Sequence, residues 1–92
     1  EGDLDETQLE EIAQRLRKFD ARAEKAWAIP VLRLIGEGEG RPAAELAQEL
    51  GFEKLALKQR IRKLKELGLT ISLQTGYRLS KRGRSVLDYL DR

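Results

Sequence analysis

The residues of this chain that could do chemistry are almost all cationic. From Lys54 to Arg84 stand ten bases (Lys54, Lys58, Arg60, Arg62, Lys63, Lys65, Arg78, Lys81, Arg82 and Arg84) against a single acid, Glu66. Cys and His are both absent, which removes thiol nucleophiles, imidazole bases, disulfides and the usual zinc and iron ligands. No nucleophile–base pair is legible, so no catalytic residue, metal site or cofactor is expected, and an enzyme is the least favoured reading. What dense Lys and Arg can do is neutralise a polyanion. The net charge of +2 conceals this: residues 1–40 hold ten acids and six bases, a net of −4, and residues 41–92 hold twelve bases and six acids, a net of +6. Such polarity creates a local positive field whatever the total.

The segment "GFEKLALKQRIRKLKELGLT", Gly51 to Thr70, must position much of that charge. Leu57, Ile61, Leu64 and Leu67 recur at i, i+4, i+7 and i+10, a helical core stripe. At about 100° per residue, the opposite face carries Leu55, Gln59 and Arg62, flanked by Lys58 and Lys63. Arg and Lys suit guanine edges and Gln suits adenine. One face therefore reads as core and the other as a DNA surface, with Leu55, Lys58, Gln59 and Arg62 as base-reading residues. A helix whose charges merely solvate it more often mixes signs for i,i+4 pairing; here acids are nearly missing.

A second cationic group follows. Lys81, Arg82 and Arg84 fall in the first turn of the last helix, where cations oppose the helix dipole. A phosphate held there by free N–H groups and basic side chains would favour them. With Lys54, Lys63 and Arg78 they form the expected DNA-phosphate set.

The elements around these residues are predicted to be mainly α with a small β-hairpin. Leu9, Ile12, Leu16, Phe19, Ala23, Ala26 and Pro30 are spaced 3, 4, 3, 4, 3, 4, a heptad seam on a long N-terminal helix, capped by Asp5 or Thr7. The seam reads as a dimerisation surface (Leu9, Ile12, Leu16, Phe19, Ala23, Ala26); the alternative is an amphipathic helix lying on its own domain. Pro30 kinks that helix, or a second one starts near Ala28 to Pro30. Trp27 is expected as a packing anchor between the long helix and the rest. "GEGEG" lacks the Lys-Ser/Thr ending of a phosphate loop and ends a helix instead. Pro42 suits a first helical turn and Gly51 a left-handed exit. The alternation of Leu69, Ile71 and Leu73, then Tyr77 and Leu79, predicts a hairpin. A three-residue loop, Gln74-Thr75-Gly76, would pair Leu73 with Tyr77 and Ile71 with Leu79. Ser80 is the expected cap of the last helix, with Val86, Leu87 and Leu90 inward. Residues 1–28 thus form an acidic heptad helix and residues 29–92 a single domain.

"AELAQELGFEKLALKQRIRKLKELGLT" and "GYRLSKRG" together resemble the winged helix-turn-helix of transcriptional regulators such as the MarR and ArsR classes. The likeness runs from about Ile29 to Leu90. It implies that residues of about 54–67 form a recognition helix for the major groove. Two departures stand out: Glu53 where a small polar residue often starts that helix, and Leu55 where a base- or phosphate-reading residue is common. Leu55 reads either as a thymine-methyl contact or as part of a protein contact. The tip Gln74-Thr75-Gly76 is short and uncharged, so deep minor-groove insertion is not expected.

The expected function is sequence-specific binding of double-stranded DNA by a homodimer regulating transcription. Two recognition helices would enter major grooves about 34 Å apart on a pseudo-palindromic site. The alternatives are a protein-interaction module of a larger complex and a non-specific architectural DNA binder. No run is apolar enough to cross a bilayer, and a cytoplasmic, nucleoid-associated setting follows from the DNA reading. The absence of Asn and Met beside heavy Arg, Lys and Glu usage leans towards a thermophilic source.

Overall fold

The computed structural model describes residues 4–38 and 40–92; Glu39, inside "GEGEG", lies outside them. The elements run α1 (Glu6–Arg22), α2 (Ala28–Gly36), α3 (Ala43–Leu50), α4 (Lys54–Glu66), β1 (Thr70–Leu73), β2 (Gly76–Leu79) and α5 (Lys81–Leu90). The chain is mainly helical with one antiparallel hairpin, as its periodicities imply.

Local chemistry starts and stops the helices. Asp5 accepts from Gln8 N at 2.8 Å while the Gln8 side chain accepts from Asp5 N at 3.1 Å, a capping box. Glu53 caps α4 through Ala56 N at 3.2 Å, and Ser80 caps α5 through Gly83 N at 3.0 Å. Pro42 is the residue before α3 rather than within its first turn, and Gly51 leaves that helix at φ +75°.

The long seam divides. α1 stops at Arg22, and Ala26 lies exposed in the connection that follows. Asp20, near the end of α1, caps the start of the next helix. Its carboxylate accepts from the backbone N–H groups of Trp27, Ala28 and Ile29 at 2.9, 2.7 and 3.2 Å. It therefore serves the free amides of α2, whose own N-cap, Trp27, makes no side-chain cap. Pro30 falls in the first turn of α2, where its missing N–H leaves no bond unmade.

One core gathers all the helices. Leu9 and Leu16 of α1 join Val31, Leu32 and Ile35 of α2, Leu46 of α3, Leu57, Ile61 and Leu64 of α4, and Val86 and Leu87 of α5. Ala13 is buried as well, and Ile12, Phe19 and Ala23 pack partly buried against the same cluster. Much of the seam thus lies on its own chain, with Leu9 and Leu16 buried there. The division expected after residue 28 falls at the start of α2, and residues on both sides of it share this core. Trp27 is the anchor expected, buried and stacked on Phe19 with ring centroids 5.4 Å apart.

The hairpin departs from its expected register. Thr70 pairs with Leu79, Ile71 with Arg78, Ser72 with Tyr77 and Leu73 with Gly76. The connection is the two residues Gln74-Thr75, and neither expected pair, Leu73–Tyr77 nor Ile71–Leu79, forms. A slip of one residue exchanges the faces of a strand: Thr70 is buried and Leu73 is 37% exposed. Tertiary contacts set this register. Gly40 N donates to Tyr77 O at 3.0 Å and Arg41 bridges to Tyr77, so a third stretch of backbone lies on β2. It passes so near Gly76 that a Cβ there would stand 2.4 Å from Gly40 O. Gly76 also has φ +105°, so the glycine is required, but by this crossing rather than by a three-residue loop. At the other end Leu69 is fully buried and its carbonyl accepts from Ser80 N at 3.0 Å, which fixes where β1 begins.

Candidate functional site

Leu57, Ile61 and Leu64 pin one side of α4 into the core. On another side an open cleft of about 410 Å³ separates α4 from the hairpin. Leu55, Lys58, Gln59 and Arg62 all line it, so the structure brings together every residue read from sequence as a base contact. Lys65, Ser72 and Tyr77 line it too. A second recess of about 320 Å³ shares Lys58, Ser72 and Tyr77 with the first and extends past Lys54 to the hairpin tip.

Sequence reasoning missed those three further residues. Lys65 lies three residues beyond Arg62 and seven beyond Lys58, so the helical period carried the signal. Ser72 and Tyr77 are directly opposed in the hairpin; the expected register placed them on different faces, and nothing local corrected it.

The cleft is electropositive and uncompensated. Among the described residues the ion pairs join Arg17 to Glu10, Arg33 to Asp91, Arg41 to Glu45 and Glu49, and Arg92 to Glu6. None engages Lys54, Lys58, Arg62 or Lys65, all of which are exposed. Arg41 stands apart: its hydrogen bond to Glu49, the largest influence, raises its pKa. Burial of the Tyr77 ring pushes its phenol up, so at neutral pH the cleft wall carries a neutral hydroxyl.

The expected phosphate set does not stay together. Lys54 borders the second recess. Lys63 is turned the other way, its Nζ 5.7 Å from the Phe19 ring centroid. It belongs to a cation–aromatic cluster on the α1 side, in which the Arg60 guanidinium lies 4.9 Å from Phe52 and 6.0 Å from Trp27 and Lys25 Nζ lies 4.9 Å from Phe52.

Arg82 Nη1 donates to Leu67 O at 3.3 Å, and Arg84 Nη2 donates to Gly36 O at 3.0 Å. These cations seemed misplaced against the dipole of α5. They instead complement the carbonyl ends of two other helices, α4 and α2, where positive charge is favoured. That internal role is a second reason for their presence beside the expected phosphate, and both side chains remain exposed. Arg78 and Lys81 border a smaller recess of about 220 Å³ with Arg84. Arg78 pairs with Ile71, one position on from the Ser72–Tyr77 pair, and so lies on the hairpin face away from the cleft.

Among the described residues no group of three or more Asp or Glu side chains is placed to hold a metal ion, and no helix is long and apolar enough to cross a membrane. The chain matches no protein-family model. A search of curated proteins finds no significant relative.

Proposed function

We propose that this chain binds double-stranded DNA as a winged helix-turn-helix module, with α4 in the major groove and the hairpin beside it. One observation carries the reading: Leu55, Lys58, Gln59 and Arg62 line a single cleft whose cations have no carboxylate partner among the described residues. α4 has 13 residues, about 20 Å of helix at about 1.5 Å per residue, enough to lie along several base pairs. Lys58, Gln59 and Arg62 offer the donors that guanine and adenine edges accept, and Lys54 and Lys65 stand where flanking phosphates would pass. The resemblance of residues 29–90 to winged-helix regulators supports the same placement and makes transcriptional control, in the cytoplasm at the nucleoid, the proposed role.

The proposed unit is a homodimer paired through α1. Leu9 and Leu16 of its stripe are buried on their own domain, Ile12, Phe19 and Ala23 are partly buried and Ala26 is exposed, so the partly covered residues are the ones left to meet a second copy.

Titration against random-sequence duplex DNA at two salt concentrations tests the proposal. Binding should be tight at low salt and fall steeply as salt rises. Absence of binding at low salt overturns it. A protein-contact reading draws on Leu55, 63% exposed on this face. It predicts that Leu55→Asp abolishes partner binding and that Lys58→Ala changes little. A purely architectural binder would show equal affinity for all sequences.

A further inference from the structure

Leu55 is the most exposed large apolar side chain among the described residues, at 63%, and it opens the cleft at the second residue of α4. A lone exposed leucine on a protein surface usually needs no explanation. This one is set among Lys58, Arg62 and Lys65, exposed cations with no carboxylate partner among the described residues, on the helix face that also presents Gln59. The ligand that fits such a surface is a polyanion with an apolar spot on the edge it presents.

Resting on the DNA reading, we infer that Leu55 reads the C5-methyl group of thymine, and that the sequences this protein prefers hold an A·T pair beneath the first turn of α4. In the major groove of unmodified DNA, thymine is the only base that offers a methyl group. Gln59 lies one helical turn further on, about 6 Å along the axis, against about 3.4 Å between successive base pairs. The two side chains therefore address neighbouring or next-neighbouring pairs. Gln59 accepts from adenine N6 and donates to N7 while Leu55 covers a thymine methyl. Arg62, three residues beyond, is left to guanine. Charge complementarity selects the duplex, and the apolar side chain selects within it.

Replacing thymine by deoxyuridine removes the methyl and leaves every hydrogen-bonding group in place. Wild-type protein and Leu55→Ala are titrated by fluorescence anisotropy against alternating A·T and A·U duplexes of equal length at low salt, after circular dichroism has checked that the variant is folded. The wild type should bind the uracil duplex about fourfold more weakly, the contribution of roughly one buried methyl group. Leu55→Ala should bind the two duplexes equally.

Equal wild-type affinity for both duplexes overturns the inference and leaves the DNA reading standing. An equal loss in wild type and Leu55→Ala also overturns it, because the methyl then acts through duplex shape. If neither duplex binds, the DNA reading itself fails, and an acidic protein surface becomes the partner to seek.

Discussion

The two sides of α4 carry the same kinds of residue and hold them differently. Towards α1, Arg60 and Lys63 lie on the rings of Phe52, Trp27 and Phe19. Towards the hairpin, Lys58, Arg62 and Lys65 line an open cleft and meet no carboxylate among the described residues. Arg82 and Arg84 of α5 belong with the first group, since their guanidinium groups serve the carbonyl ends of α4 and α2. A count of basic residues does not distinguish a cation that holds the fold from one free to meet a ligand. The partner of each cation does.

The comparison fails soonest if α5 is not docked as described. Gly83 lies against the exit of α4, where a Cβ would stand 2.0 Å from Leu69 O. Gly83→Ala should therefore destabilise the protein by about 2–3 kcal/mol in urea unfolding, although alanine is the better helix former by about 1 kcal/mol. Unchanged stability would remove the basis for assigning Arg82 an internal partner.

Asp20 tests the other end of the molecule. Asp20→Ala leaves the amides of Trp27, Ala28 and Ile29 without their acceptor and should cost about 1–2 kcal/mol. Asp20→Asn should cost less, because one oxygen still accepts.

Smaller effects sharpen the contrast between structural and free cations. Arg82→Ala and Arg84→Ala should each lower stability by about 0.5–1 kcal/mol, the range of one net hydrogen bond. Lys58→Ala should leave the melting temperature unchanged.

The smallest effect concerns how α1 is held to α5. Tyr89 donates its hydroxyl to Glu10. That bond is the first cause holding the Glu10 carboxyl below its ordinary value of 4.5, and it lifts the Tyr89 phenol above 10.0. A lowered carboxyl contributes stability that is present above pH 4.5 and lost as pH falls through the lowered value. A raised phenol contributes stability present below pH 10.0 and lost as pH rises through the raised value. Tyr89→Phe should flatten both edges of the melting temperature–pH profile. At neutral pH it should lower the melting temperature by about 2 °C or less.

What the sequence made legible was local. The stripe of Leu57, Ile61 and Leu64, the cap Ser80, the cap Asp5 as one of two candidates and the exit at Gly51 depend on residues within a turn or two, and each appears where its spacing placed it. The outward face of α4 followed from the same period. What stayed hidden depends on partners far along the chain. Arg84 and the carbonyl it serves are 48 residues apart, and Asp20 caps a helix that begins beyond its own. The hairpin register was not legible because strands of four residues hold too few apolar positions to decide it. Backbone at Gly40 and Arg41 decides it instead. The α1 stripe read as a seam between chains, and a helix lying on its own core shows nearly the same spacing; Leu9 and Leu16 are buried on their own core.

The proposal places DNA against the cleft cations and not against the α5 cations. Its most direct test compares Lys58→Ala/Arg62→Ala with Arg82→Ala/Arg84→Ala on one duplex at one low salt concentration. Each pair removes two positive charges. The cleft pair should weaken binding at least about tenfold, and the α5 pair by less than about threefold. Equal losses, or a larger loss from the α5 pair, would contradict the account.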